Sequence, residues 1–148
     1  MTRQPVLGFT DALVRLAHLV QQVFVEVGKE HDLTPQQAQL LCLLVEGPVG
    51  MTDLTRSLHL EKSSLTGLVD RAARRGLVVR TRDARDRRAC RIELSGDGRR
   101  VAVLAHEEVA RRLEALAAEL PEEHKELLVS AVAGMLSARG PQGGGSDR

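Results

Sequence analysis

From residue 13 onward, apolar side chains fall at Leu13, Leu16, Ala17, Val20, Val23, Phe24 and Val27. That spacing of three and four predicts an amphipathic helix, with Thr10 as its cap and its end near Gly28. A second start signal follows at Thr34-Pro35-Gln36-Gln37. It offers a capping threonine, a proline at the first helical position and a glutamine at the third. The helix it opens, AQLLCLLVEG, is apolar almost all round, which predicts burial, and Gly47-Pro48 stops it.

Two short helices are predicted next. Thr52 caps DLTRSLHL, with Leu54 and Leu58 on one face. EKSSLTGLVDRAARRG then carries a stripe of Leu65, Leu68, Val69 and Ala72, ending at Gly76. Its other side presents Lys62, Ser63, Ser64, Thr66, Gly67, Asp70, Arg71 and Arg74. The period then changes to two: Leu77 to Arg82 and Ala89 to Leu94 read as strands, with Cys90, Ile92 and Leu94 on one face and DARDRR as the hairpin loop. After Ser95-Gly96-Asp97-Gly98 a long helix runs to about Leu120. Pro121 opens a last one, with Leu128, Val132, Met135 and Leu136 on its inner side. The tail ARGPQGGGSDR is composed like a disordered segment. The predicted fold class is mainly α with a small β-hairpin.

Charge changes the picture more than composition does. The net charge is only +1, which alone argues against a nucleic-acid partner. Yet residues 61–100 hold twelve Lys or Arg against six Asp or Glu, and the remainder holds nine against fourteen. One stretch is therefore a candidate electrostatic footprint. Phe9 and Phe24 are the only aromatic residues, and neither lies in the basic stretch. Single-stranded nucleic acid is held largely by stacking on aromatic rings, so duplex DNA is the better candidate.

Short helix, turn, second helix and basic hairpin together make a winged helix-turn-helix. LEKSSLTGLVDRAARRGLVVRTRDARDRRACRIELSGDGRR resembles the central signature of MarR-type transcriptional regulators. The surrounding helix order fits the whole chain except the tail. The resemblance implies a single domain over 1–138, with helices in 10–30 and 95–138 for dimerisation, a winged lobe at 34–94 and a tail at 139–148. It implies a homodimer placing one recognition helix and one wing per protomer on a pseudo-palindromic site. Ser64 and Thr66 are then candidates for base edges or nearby phosphates, with Ser63 beside them, and Lys62, Arg71 and Arg74 for phosphate. In the wing, Asp86 would hold an Arg88 that enters the minor groove, Arg85 and Arg87 would meet phosphates, and Arg80 would support the loop. The chain departs from the family pattern at Glu61, where Asp is usual and caps better. It departs again at Gly67, where a larger and frequently basic residue is usual.

An enzyme is not indicated. The five histidines form no H-E-x-x-H pattern, nucleophile-elbow and phosphate-loop motifs are absent, and His106-Glu107-Glu108 reads as a solvated helix face. No cofactor or metal is called for. Two cysteines make no disulfide framework: Cys42 belongs to an apolar helix, and the alternation of Cys90 with Ile92 and Leu94 argues for packing over redox sensing. The resemblance also implies a small aromatic or phenolic effector, with Arg15, His18 and Arg56 as candidate contacts. No apolar run reaches the ~18 residues of a membrane span. The expected protein is a cytoplasmic DNA-binding repressor. The alternative is a dimeric protein-interaction module of winged-helix shape.

Overall fold

The computed structural model describes residues 6–86 and 88–139, so Arg87 and the tail expectation from residue 140 lie outside the described residues. The chain divides between Leu113 and Glu114 into two compact units. The first contains α1 (Phe9–Glu30), α2 (Pro35–Leu43), β1 (Val49–Gly50), α3 (Met51–Leu58), α4 (Lys62–Arg74), β2 (Val78–Arg82), β3 (Cys90–Leu94) and most of α5 (Gly96–Leu116). The second contains the end of α5 and α6 (Glu122–Ala138).

The capping signal at Thr34 is realised in full. The Thr34 hydroxyl accepts from the Gln37 N–H at 3.1 Å, and the Gln37 carbonyl oxygen accepts from the Thr34 N–H at 3.1 Å. Two other threonines mislead. The chain enters α1 through Gly8 and α3 through Gly50, neither with a side-chain cap, so Thr10 and Thr52 lie inside the first turns. Gly28 does not stop α1 either. The helix runs on to Glu30, and a Cβ at Gly28 would stand 2.6 Å from the Leu33 carbonyl oxygen. The glycine serves the close return of the chain.

One core cluster joins the first unit's elements. Leu40, Leu41 and Leu44 from α2 and its end meet Leu54 of α3, Leu65 and Leu68 of α4, and Ile92 of β3. Fully burying one such side chain contributes about 1.5–3 kcal/mol. A second cluster of Val23, Val27, Ala105 and Val109 seals the C-terminal half of α1 against α5. The sheet has three antiparallel strands in the order β1-β3-β2. Ile92 stands opposite Val49 on one side and Arg80 on the other. The sequence pattern did not reveal β1, whose two residues are too few to show a period. The Arg91 guanidinium secures it by donating to the Pro48 carbonyl at 3.1 Å.

The α4–β2 and β3–α5 junctions are one structure. Gly76 takes a left-handed φ of 71° and ends α4. The Leu77 N–H reaches back to the Ala72 carbonyl at 3.0 Å, and the Leu77 carbonyl accepts from the Ser95 N–H at 3.0 Å. The Ser95 hydroxyl donates to the Gly76 carbonyl and accepts from the Gly98 N–H at 2.9 Å. Gly98, expected to precede the long helix, is inside it, and α5 ends at Leu116, short of Leu120. A Cβ on Gly98 would lie 1.7 Å from the Leu77 carbonyl oxygen.

Charges also tie α1 to α5. Arg112 bonds Glu108 at 2.8 Å and Glu26 at 3.2 Å, and it pairs with Glu30. Arg111 donates to the second oxygen of Glu108 at 3.1 Å. The two guanidiniums hold the Glu108 carboxyl down at about 2. His106-Glu107-Glu108 is thus not a uniform solvated face, because Glu108 belongs to an interhelical ion cluster. In α6 the expected inner side is open: Leu128, Val132, Met135 and Leu136 are exposed, and no residue of the helix is buried. Leu13 and Leu16 of α1 are exposed too.

Two outcomes follow from this packing. Gly98→Ala, which drives a methyl into backbone, loses roughly 1–3 kcal/mol in urea unfolding despite the better helix propensity of alanine. Gly96→Ala, with nothing within 4 Å of the new Cβ, stays near wild type. Glu108 has its carboxyl depressed from 4.5 to about 2 in the folded chain, so its contribution is complete above about pH 4.5 and fades as pH falls toward 2. Thermal melts from pH 6 to pH 2 should therefore fall less steeply for Glu108→Gln than for wild type in the lower part of that range. Parallel curves would show that the cluster contributes nothing.

Candidate nucleic-acid interface

The turn between α3 and α4 is built without glycine. His59 adopts φ 52° and lets the Leu60 N–H return to the Thr55 carbonyl at 3.2 Å, which closes α3 and turns the chain sharply. Leu65, Leu68, Val69 and Ala72 of α4 are buried. Lys62, Ser63, Ser64, Thr66, Arg71 and Arg74 are exposed on the other side, with Gly67 and Asp70 half-buried between them. Glu61 makes no side-chain cap and the first turn carries no acid. The leading N–H groups of α4 are thus left available to an anion. The Thr66 hydroxyl donates to the Lys62 carbonyl at 2.8 Å. Its proton is spent inside the helix, so Thr66 can offer a base only a lone pair or its methyl group.

The arginines divide into two groups. Arg75 pins the C-terminal end of α4 by donating to the Asp32 carbonyl and, at 3.2 Å, to the amide oxygen of buried Gln37. Arg99 donates to the Val45 carbonyl at 3.3 Å, and Arg91 holds β1. Arg80, expected to support the wing loop, pairs with Asp70 and links β2 to α4. These are fastenings. Lys62, Arg71, Arg74, Arg82, Arg85 and Arg88 are exposed and form no ion pair among the described residues.

In the wing loop two aspartates fold the backbone. The Asp83 carboxylate accepts from the Arg85 N–H at 3.0 Å, and the Asp86 carboxylate accepts from the Arg88 N–H at 2.9 Å. Asp86 therefore positions Arg88 through the main chain; no ion pair joins the two side chains among the described residues. The Asp83 N–H bonds the Ala89 carbonyl at 3.1 Å and closes the loop's base. Lys62, Arg85 and Arg88 line one open groove with Met51 and Thr52 of α3, and Cys90 also contributes to its wall. Arg91, Asp53 and Asp83 line it as well, so four cations stand against two acids beside a helix start, a balance that suits a polyanion backbone.

The remaining expected residues lie apart from this groove. Arg15 and His18 are exposed on the N-terminal half of α1, and Arg56 lies 3.9 Å from Asp53 on α3. Burial pushes the Cys42 thiol up to about 11, away from thiolate chemistry at neutral pH. Cys90 packs part-buried against the core, as its alternation implied.

Fold and groove define a winged helix-turn-helix protein. A sequence model of the MarR family matches residues 31–89. The homoprotocatechuate degradative operon repressor of Escherichia coli is 32% identical over 112 residues, covering 73% of this chain and 76% of that one. The HTH-type transcriptional regulator FarR of Neisseria gonorrhoeae is 29% identical over 122 residues, covering 82% and 84%. Among solved structures, NadR in complex with 4-hydroxyphenylacetate matches with a TM-score of 0.78 at 26% identity, covering 92% of this chain and 97% of that one. The transcriptional repressor CouR bound to a 23-mer DNA duplex matches at 0.71 and 29%, covering 86% and 92%. The chain belongs to the MarR family: it is a DNA-binding transcriptional regulator of the repressor type and not an enzyme.

The Arg80–Asp70 pair gives a test of how firmly wing and recognition helix are joined. Both side chains are about half exposed, so a double-mutant cycle of Arg80→Ala and Asp70→Ala in urea should show a coupling of only about 0.2–1 kcal/mol. The same pair should matter more to DNA affinity, measured by anisotropy, because it fixes the angle between two reading elements. Equal small effects on both would mean that the angle is set by the core alone.

Proposed function

We propose that the protein represses transcription in the cytoplasm as a homodimer on a pseudo-palindromic duplex. In this reading α4 enters the major groove, which at about 12 Å is wide enough for a helix, and the wing reaches the adjacent minor groove. The observation that carries it is the shared groove of Lys62, Arg85 and Arg88, which joins the start of α4 to the wing tip. Ser63 and Ser64 stand at the front of α4 for base edges or phosphates, Lys62 and Arg74 hold phosphate, and Arg88 enters the minor groove with Arg85 and Arg87 on the flanking backbone. Gly67, Asp86 and Arg80 shape these elements.

The uncovered apolar positions of α1 and α6 are the proposed dimer surfaces, in keeping with a division into dimerisation helices at 10–30 and 95–138 around a winged lobe at 34–94. The effector we propose is a small aromatic acid. NadR was solved with 4-hydroxyphenylacetate, and the Escherichia coli relative is named for the homoprotocatechuate operon. Arg15, His18 and Arg56 remain its candidate contacts. Binding of such an acid would release the duplex.

The decisive experiment is selection of bound duplexes from a random pool, with light scattering on the same sample. It should return a dimer and a two-fold-symmetric site. Arg88→Ala should weaken binding by about 1–3 kcal/mol, chiefly on A·T-rich flanks where the minor groove is narrow. Arg74→Ala should weaken all sequences alike and lower the salt slope by about one. A monomer at micromolar concentration, or an Arg88→Ala variant that binds every duplex as wild type does, would contradict the reading.

A further inference from the structure

Gly67 is the one position on the reading side of α4 without a side chain, and the space it leaves is in use. A Cβ built on Gly67 would stand 3.3 Å from a terminal nitrogen of Arg71, one turn further along the helix. The Arg71 side chain therefore folds back along the helix and lays its guanidinium over Gly67. Helical side chains lean toward the N-terminus, and residues four apart share a face, so the direction is the ordinary one. What is particular is where the charge ends up. The buried stripe is centred on Leu65, Leu68, Val69 and Ala72, which places Gly67 closer than Arg71 to the middle of the opposite, exposed face. The folded-back guanidinium thus moves from the flank of the third turn toward the centre of the N-terminal half. That half of a recognition helix is the part that meets base edges.

Neighbouring charges favour the same placement. Asp70, the nearest acid on the helix, is already paired with Arg80. Arg71 has no ion-pair partner among the described residues, and neither Ser63 nor Ser64 is long enough to obstruct it. Left on the flank of the third turn, the same charge would lie nearer the backbone walls of the groove. A planar fork held over the face centre suits the two acceptors of guanine, O6 and N7, which it meets bidentately.

We infer that Arg71 is a specificity-determining residue that reads a guanine in each half-site, and that Gly67 is the gap that lets it do so. The inference rests on the duplex-binding function proposed above and adds to it the identity of one base pair. It also gives the departure from the family pattern at Gly67 a purpose: a contact is moved from one residue to another, not lost.

The test uses the full chain and the half-site returned by selection from a random duplex pool. Wild type should select one G·C pair in each half-site, and replacing that pair with A·T should cost it roughly 5- to 150-fold in affinity. Arg71→Ala should lose that preference, with the A·T replacement costing it less than about threefold. Arg71→Lys should keep the salt slope and lose the preference, because an ammonium lacks the fork. Gly67→Leu should raise the thermal midpoint through helix propensity and yet erode the guanine preference with Arg71 intact. A purely structural role for Gly67 would not separate those two readouts. If Arg71→Ala weakens all duplexes equally and lowers the salt slope by about one, Arg71 is a phosphate contact and the inference is overturned. If wild type selects no sequence at all, the duplex-reading function itself fails, and the assignment with it.

Discussion

The rest of the structure depends on the contact between the Leu77 carbonyl and Gly98. At this point the recognition helix has just ended, the wing begins, the wing returns and the long helix α5 starts. The Leu77 carbonyl accepts the Ser95 N–H, the Ser95 hydroxyl bridges Gly76 and Gly98, and only a residue without Cβ fits against Leu77. Four chain directions are fixed at this one place. Since α5 is also held to α1 by the Val23–Val109 cluster and the Arg112 ion cluster, the placement of α4 and the wing is transmitted to α1, one of the helices proposed to meet a second protomer. The recognition helix and wing are thus mechanically connected to α1 within one unit.

That connection explains how charge is used. An electrostatic surface requires cations that are not consumed by the fold, while a small three-stranded sheet requires fastening to its surroundings. The chain uses arginine for both. Arg75, Arg80, Arg91 and Arg99 satisfy carbonyls or a carboxylate and hold α4, β1 and α5 in place. Lys62, Arg71, Arg74, Arg82, Arg85 and Arg88 are left exposed, without an ion pair among the described residues. A bare count of positive charge in residues 61–100 overstates the binding surface, because several of those charges are spent before any ligand arrives.

Much of this was legible in the sequence where the signal is local. The Thr34–Gln37 box, the Leu65–Ala72 stripe, the Gly76 stop and the alternation through Ile92 all depend on neighbours within a few residues. What was not legible depends on distance. The partners of Arg75, Arg91 and Arg99 lie 38 to 54 residues away, and nothing in a linear pattern announces a carbonyl in need of a donor. The strand β1 is too short to carry a period. Thr10 and Thr52 misled because glycine entered both helices without a capping side chain. The apolar positions of α6 misled differently: periodicity showed an apolar side, but not that none of the helix is buried among the described residues. Gly67 read only as a departure from the family pattern; that the Arg71 side chain lies over it is visible only in the structure.

In the proposed complex one unit presents a helix and a wing to two adjacent grooves of the same duplex, twice per dimer. Hydroxyl-radical footprinting of the wild-type protein on its selected duplex tests this most directly. Protection should form two mirror-related sets about one helical turn, 34–36 Å, apart, each with a flanking minor-groove segment beside its major-groove contact. Loss of the flanking segments in Arg88→Ala, with the inner ones retained, would agree with the account. Protection that is unbroken, lacks two-fold symmetry or omits the flanking minor groove in wild type would contradict it.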